Sequence, residues 1–256
     1  MLNNQDNRLT GLTAQSLRTW GVIAIVAGIV GKGFIQMGIL GTAQMSVQNM
    51  IEAMDDPSYM GLATIALILN AIEACAIPTF SFLLVVGFTK SKNRKLYFLR
   101  VLAVALISEI PFDLIYNGKV VAINQQNPVF AVLITMIVLY FLKRYQGKQL
   151  TQILLKFIIL VAAIFWMEML KIYNGTCFVV ISAALWFLKD KKMLRTFGGC
   201  CAAALCTVIS PFYLAAPVAF LAIHFYNEEQ GAANRIVNYM VYPLVLVVFA
   251  TVIHLM

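Results

Sequence analysis

Apolar residues fall in long runs along this chain, separated by short polar or basic stretches. Nine runs stand out, at about 16–38, 61–88, 96–116, 127–143, 150–170, 176–189, 195–211, 212–226 and 236–256. Most approach the ~20 residues that a helix needs to cross a bilayer. No run alternates with a period of two, so no strand pattern competes, and no segment repeats. The pattern predicts an all-α polytopic integral membrane helical bundle of about nine transmembrane spans, forming one domain over 1–256. The sixth, seventh and eighth runs are short. Pro211 and Pro217 bracket a break between the seventh and eighth, since proline lacks the N–H that a helix interior uses. That pair reads as a tight hairpin or a partly re-entrant unit. The 39–60 stretch is the longest connection and is amphipathic enough to lie along a membrane surface. Residues 1–15 are polar, and the run that follows is too long for a cleaved signal sequence.

Composition agrees with the pattern. Of 256 residues, 61% are apolar and 12% charged, and mean hydropathy is +0.85. Soluble domains carry about 25% charged residues, so a soluble enzyme, a disordered chain and a secreted disulfide scaffold are excluded. The net charge of +8 does not point to nucleic acid, because the basic residues sit in short loops and no RNA-binding motif is present. They report orientation instead. With the N-terminus inside, 15 of the 19 basic residues lie inside: Arg8, Arg18, Lys90, Lys92, Arg94, Lys95, Arg100, Lys143, Arg144, Lys148, Lys189, Lys191, Lys192, Arg195 and Arg235. Lys32, Lys119 and Lys171 fall outside or in the outer half. The 39–60 loop holds Glu52, Asp55 and Asp56 and no basic residue. The reading is N-in, C-out. Cys75, Cys177, Cys200, Cys201 and Cys206 lie in apolar runs without paired CxxC spacing, so they read as small apolar residues and no metal site is expected.

An ionisable group in hydrocarbon costs at least a few kcal/mol and usually has a partner or a task. Lys156 lies near the inner end of its run and can snorkel. Glu168 and Lys171, three apart, read as a surface pair, and His224 and His254 as interfacial residues. Lys32, Glu73 and Glu109 are harder to place at a surface. They fit either a polar cavity among the first three spans or an ion pair that fixes helix packing. The densest cluster is Ser108-Glu109-Ile110-Pro111-Phe112-Asp113. Two carboxylates four apart share a helix face, and close together one of them resists ionising, which suits proton transfer. A plain proline kink with an interfacial Asp113 fits the same residues.

At this cluster the sequence resembles the TraX family of integral membrane proteins. The stretch IPTFSFLLVVGFTKSKNRKLYFLRVLAVALISEIPFDLIYNG (77–118) carries the family's proline-led PxFxFLLxxGF run, its basic loop and its SEIPFDL signature, in order and at the family's spacing. Asn127-Pro128-Val129-Phe130 resembles the start of its next span, and FYNEEQGAANRIVNYMVYPLVLVV (225–248) is similar to its C-terminal motif. The resemblance implies a bacterial cell-membrane protein grouped with multi-span, acyltransferase-3-like enzymes that take acetyl-CoA or another acyl-CoA from the cytoplasm. The family's type member acetylates the N-terminal residue of pilin in conjugative transfer. A basic residue followed by a histidine on the first span marks the family's catalytic centre, histidine being a base of near-neutral pKa. Arg18 matches the basic position, but the family's Asp-His pair falls on Gly28-Ile29, its GRxAFP turn on Glu73-Ala74-Cys75-Ala76-Ile77-Pro78, and its last histidine on Val245.

Two functions follow from the resemblance. One is an acyltransferase whose base has moved to Glu109, Asp113 or Glu73. The basic loop with Arg94, Lys95 and Arg100 would hold the CoA phosphates, and Arg18, Lys32, Asn127 and Tyr242 would be further binding residues. Glu109 and Asp113 take most of the weight. The other is a pseudoenzyme: a non-catalytic partner, regulator or small-molecule binder on the same scaffold. A transporter is a weaker reading, since no inverted repeat is visible. Oligomeric state is not legible.

Overall fold

A computed structural model describes residues 11–42, 45–232 and 234–255. Arg8 lies outside the described residues, as do the side chains of Arg235 and His254. Helices occupy each of the nine apolar runs. The first pass is α1 (Ala14–Gly28), which continues without a break into a wider, π-type turn sequence over Ile29–Ile39. Then come α2 (Val47–Ala53), α3 (Pro57–Ala74), α4 (Ala76–Lys90), α5 (Arg94–Asn117), α6 (Val129–Arg144), α7 (Leu150–Met169), α8 (Gly175–Phe187), α9 (Lys192–Leu205), α10 (Ala219–His224) and α11 (Arg235–Leu255). Among the described residues, four of the resulting passes are long and apolar enough to cross a membrane: Ala14–Ile39, Pro57–Lys90, Leu150–Met169 and Ile236–Ile253.

Local chemistry sets the boundaries. Thr13, Ser46 and Asn93 accept N-terminal amides of α1, α2 and α5, and Asp56 does so for α3, with Pro57 at its first position. Gly118, at φ 63°, ends α5 in the left-handed conformation that glycine adopts freely. The second run is not one straight helix: it turns at Cys75 between α3 and α4, three residues before Pro78, and the Thr79 hydroxyl donates to the Cys75 carbonyl at 2.8 Å. Pro111 and Pro243 lie inside helices that continue through them. The seventh and eighth runs differ more from the predicted hairpin. Residues 206–218 are a chain of short 3₁₀ turns, and only six residues of the eighth run, α10, are α-helical. Prolines at 211 and 217 deprive this stretch of regular amide donors.

The second pass runs back along the first. Gly21 faces Phe80, Gly28 faces Glu73, and Gly31 faces Ala66 and Asn70. α11 packs most extensively on α5, and Ile253 reaches Gly33 near the far end of the first pass. α8 is apolar all round and sits among α4, α6, α7 and α9. Its Val179, Ile181 and Leu185 meet Phe82, Phe88 and Leu139 in the main core. α7 is the opposite case: of its twenty residues only Ala163 and Met167 are buried, so its apolar surface faces outward.

One end of the bundle is basic and stitched by cation–ring contacts. Arg94 lies 5.1 Å from the Phe88 ring, Lys189 3.9 Å from Trp186 and Arg195 5.0 Å from Phe82. The Lys90 ammonium donates to the Glu228 carbonyl at 2.6 Å. Here the N-terminal segment is clasped to the connection between α10 and α11: the Leu12 amide donates to the Phe225 carbonyl (2.8 Å), and the Asn227 amide to the Leu12 carbonyl (3.0 Å). At the opposite end the 118–127 loop joins the 170–174 turn through Gln126 N–H to Lys171 O and Tyr173 N–H to Gln126 O, both 3.0 Å.

Candidate functional site

Beneath those two loops lies a cavity of about 450 Å³, within the range of small-molecule sites. Lys32 from the π-wound half of the first pass and Glu73 from the last turn of α3 face into it, together with Asn70, Gln36, the 168–177 segment and Ser210–Tyr213. Widened π turns are rare and occur often at functional sites. Tyr173 ties the two charges together. Its ring face lies 4.4 Å from the Lys32 ammonium, and its hydroxyl donates to Glu73 Oε2 at 3.1 Å. Tyr116 offers Lys32 a second ring face at 5.4 Å, and the rings of Phe112, Tyr116 and Tyr173 stack in series, 4.5 and 5.7 Å apart. The turn that presents Tyr173 is held unusually: Lys171 and Asn174, neither a glycine, both adopt positive φ (51° and 56°).

Glu73 is buried, and Gly28 makes room for it: the Glu73 carboxyl occupies the space that a Cβ on residue 28 would take. The positions where the family's histidines are expected also meet here. Ile29 is buried in a cluster with Phe112, Ile115, Tyr116 and Leu246, and Val245 and Tyr242 pack against the same cluster.

Glu109 and Asp113 do different work. Asp113 is buried and accepts from Asn117 Nδ2 (3.0 Å) and from the Ala122 amide (2.7 Å), pinning the 118–126 loop over the helix end. Glu109 accepts from the backbone and side-chain nitrogens of Asn127. Asn127 in turn donates to the Ala105 carbonyl (2.9 Å) and accepts from the Val129 amide (2.8 Å) in a tight turn just before α6. The pinned loop supplies Asn124 and Gln125 to the cavity wall, so these carboxylates act on the cavity through the loop.

The remaining candidates lie elsewhere. Arg18 bonds Gln15 Oε1 at 2.9 Å near the basic end, Arg94 folds back to donate to the Phe88 carbonyl (3.3 Å), and Lys95 and Arg100 are exposed on α5. Lys156 reaches the Gly147 carbonyl (3.1 Å), as a snorkelling residue does. Glu168 accepts from Thr176, while Lys171 lies beyond the end of α7, so the two are not neighbours on one helix face. His224 Nδ1 meets the Thr196 hydroxyl at 3.1 Å. Of the five free cysteines, Cys201 is exposed on α9. Tyr173, Tyr116, Asn70 and Gln36 were not singled out by the sequence. Only the Tyr-Asn-Gly turn at 173–175 carries a local signal, and it marks a turn rather than a ligand.

Apolar helices packed around a cavity that holds a half-buried ammonium and a buried carboxylate define a helical membrane protein with an internal polar site. Its family is specific: the chain belongs to the TraX family, whose model, described as TraX protein, matches residues 59–253. The match begins after the first pass, so Lys32, Gly28 and Ile29 precede it. No curated protein and no solved structure matches the chain.

Proposed function

We propose that this protein is a single-domain, acyl-CoA-dependent membrane acyltransferase in which Glu73 is the base. It crosses the bacterial cell membrane nine times with its N-terminus inside, the short α8 being enclosed by α4, α6, α7 and α9. The observation that carries the reading is that Glu73 is a buried carboxylate on the cavity wall that accepts from the Tyr173 hydroxyl, whereas Glu109 and Asp113 bond to the loop that follows α5. An acceptor hydroxyl or amine in the cavity gives its proton to Glu73 as it attacks the thioester carbonyl. The C–S bond breaks, and the CoA sulfur leaves with the proton that Glu73 returns. Lys32 and Tyr173 hold the carboxylate in place. Lys95 and Arg100, exposed at the basic end, suit the phosphates of acetyl-CoA or a longer acyl-CoA. A pilin N-terminal residue is the acceptor that the family implies, and no metal takes part.

The test is the melting temperature of the detergent-purified protein against acetyl-CoA and CoA. A ligand at a hundred times its Kd adds about 2.7 kcal/mol, so both compounds are expected to raise the melt clearly. No shift with either, in a protein that melts cooperatively, overturns the enzyme. It would leave the second reading, a pseudoenzyme serving as partner, regulator or small-molecule binder, which the apolar packing of Ile29 and Val245 favours. Topology is checked separately: a reporter fused after residue 256 reads outside and one inserted in 90–95 reads inside. A cytoplasmic C-terminus overturns nine spans.

A further inference from the structure

The loop after α5 carries an apolar surface that the packing of the bundle does not use. Val120, Val121 and Ile123 are 59%, 75% and 83% exposed, while Ala122 between them is buried. Asp113 sets that pattern: by accepting the Ala122 amide it fixes residue 122 inward, and its neighbours project outward. The polar backbone is treated in the opposite way. The Ala122 carbonyl accepts from Gln126 Nε2 (3.1 Å) and the Gln125 carbonyl from Asn117 Nδ2 (3.3 Å). Gln126 gives its own N–H and C=O to Lys171 and Tyr173. Water would satisfy such groups on a solvated loop. A loop that lies against hydrocarbon must satisfy them internally.

Position and charge agree with that surrounding. Beyond Arg100, exposed at the basic end, α5 continues to Asn117. That stretch rises about 25 Å, close to the ~30 Å of a bilayer's hydrocarbon, so the loop lies at the far boundary. The corner bonded to it repeats its pattern. Exposed Leu170 precedes exposed Lys171, as exposed Lys119 precedes Val120. Trp166, also exposed, lies about one turn before that corner, at the level that interfacial tryptophans favour. Ammonium groups beside apolar side chains complement a phospholipid surface, whose phosphates lie just above its first acyl carbons. From these features we infer that the 118–123 loop and the corner at 170–171 are seated in the outer leaflet of the bilayer. Val120, Val121 and Ile123 lie among the upper acyl carbons, and Lys119 and Lys171 at the phosphates. Asn124 and Lys171 are exposed residues of the cavity wall, so the cavity opens at headgroup level. This contact is independent of acyl transfer; only the choice of leaflet rests on the N-in orientation.

The experiment measures the depth of an added indole. The full chain carrying Val121→Trp or Ile123→Trp is reconstituted in vesicles of phosphatidylcholine and phosphatidylglycerol. The fluorescence of the native chain, with its three tryptophans, is subtracted. The added indole is expected roughly 5–10 Å into the boundary between headgroups and acyl chains. Lipids brominated near the top of the chain should therefore quench it several-fold more than lipids brominated near the chain end, and aqueous iodide should quench it little. Lys119→Trp should lie shallower and be more open to iodide. Strong quenching by iodide with neither brominated lipid effective places the loop in water and overturns the contact. Protection from all three quenchers means that a second copy of the chain covers the surface, and it overturns the contact as well. Stronger quenching by the deep bromines overturns the interfacial depth. If the tryptophan variants fail to fold, the native chain decides: a phospholipid with a diazirine beside its headgroup should label residues 119–123, and no label there overturns the proposal.

Discussion

Glu73→Gln is expected to lower acyl transfer by about 10²–10⁴-fold, the usual range for a positioned general base, with the protein still folded. Glutamine has the shape of glutamate, and its Oε1 can still accept from Tyr173, so the stack of Phe112, Tyr116 and Tyr173 keeps its anchor. Only the negative charge and the proton-accepting oxygen are lost. Release of the CoA thiol, followed by a chromogenic disulfide, measures the rate. Glu109→Gln should stay within a few-fold of the native rate, because its oxygen faces Asn127 and not the cavity. The reverse ranking would move the base to α5. A second comparison uses the space shared by residues 28 and 73. The family resemblance puts glycine where Glu73 stands and aspartate where Gly28 stands, and here the Glu73 carboxyl fills the volume beside Gly28. The two patterns place one carboxylate in one space from opposite helices. Glu73→Gly combined with Gly28→Asp should therefore recover part of the rate that Glu73→Gly loses, while Gly28→Asp alone crowds two carboxyl groups together and should fold poorly.

Asp113→Ala should lower stability by about 3 kcal/mol or more, the largest effect expected of a residue off the cavity wall. Hydrogen bonds to a charged group contribute about 1.5–3 kcal/mol each, and removing the acceptor leaves its donors unpaired. Asp113 is 1% exposed and receives two such bonds, so alanine strands the Ala122 amide and frees Asn117. Loss of several degrees in the melt, with faster proteolysis inside 118–126, is the expected pair of results. An unchanged melt would show that the loop is held elsewhere. Asp113→Asn should be milder, since it keeps one acceptor oxygen.

How far the sequence could be read follows from the range of each interaction. The helical runs were legible because apolar length is local, and basic residues marked one end of the bundle for the same reason. Lys32 and Glu73 stood out, with Glu109, because charge in an apolar run shows one residue at a time, although a cavity and a packing ion pair fitted them equally. Glu109 and Asp113 stood out equally as candidate bases. Nothing within their own helix shows that the chain returns nine residues after Asp113 and eighteen after Glu109 to bond them. Tyr173 lies a hundred residues from the carboxylate it holds, and no periodicity reports a contact of that span. Nor does hydropathy distinguish α from π winding over Ile29–Ile39, since nearly every residue there is apolar or glycine and no polar face marks the period.

The link from Tyr173 to Glu73 also bears on how the protein is made. A ribosome delivers Lys32 to the membrane first, Glu73 next and Tyr173 only after four further helices have emerged. Until α5 brings Tyr116 the ammonium has neither ring to rest against, and until Tyr173 follows it lacks the nearer one. The earliest partner the chain can give it is the returning α3, packed on the first pass through Gly28 and Gly31. The nascent hairpin of residues 14–90 must therefore form at the insertion site before the rest of the bundle exists, and a change that loosens it would be seen as degradation during biogenesis rather than as a slow enzyme.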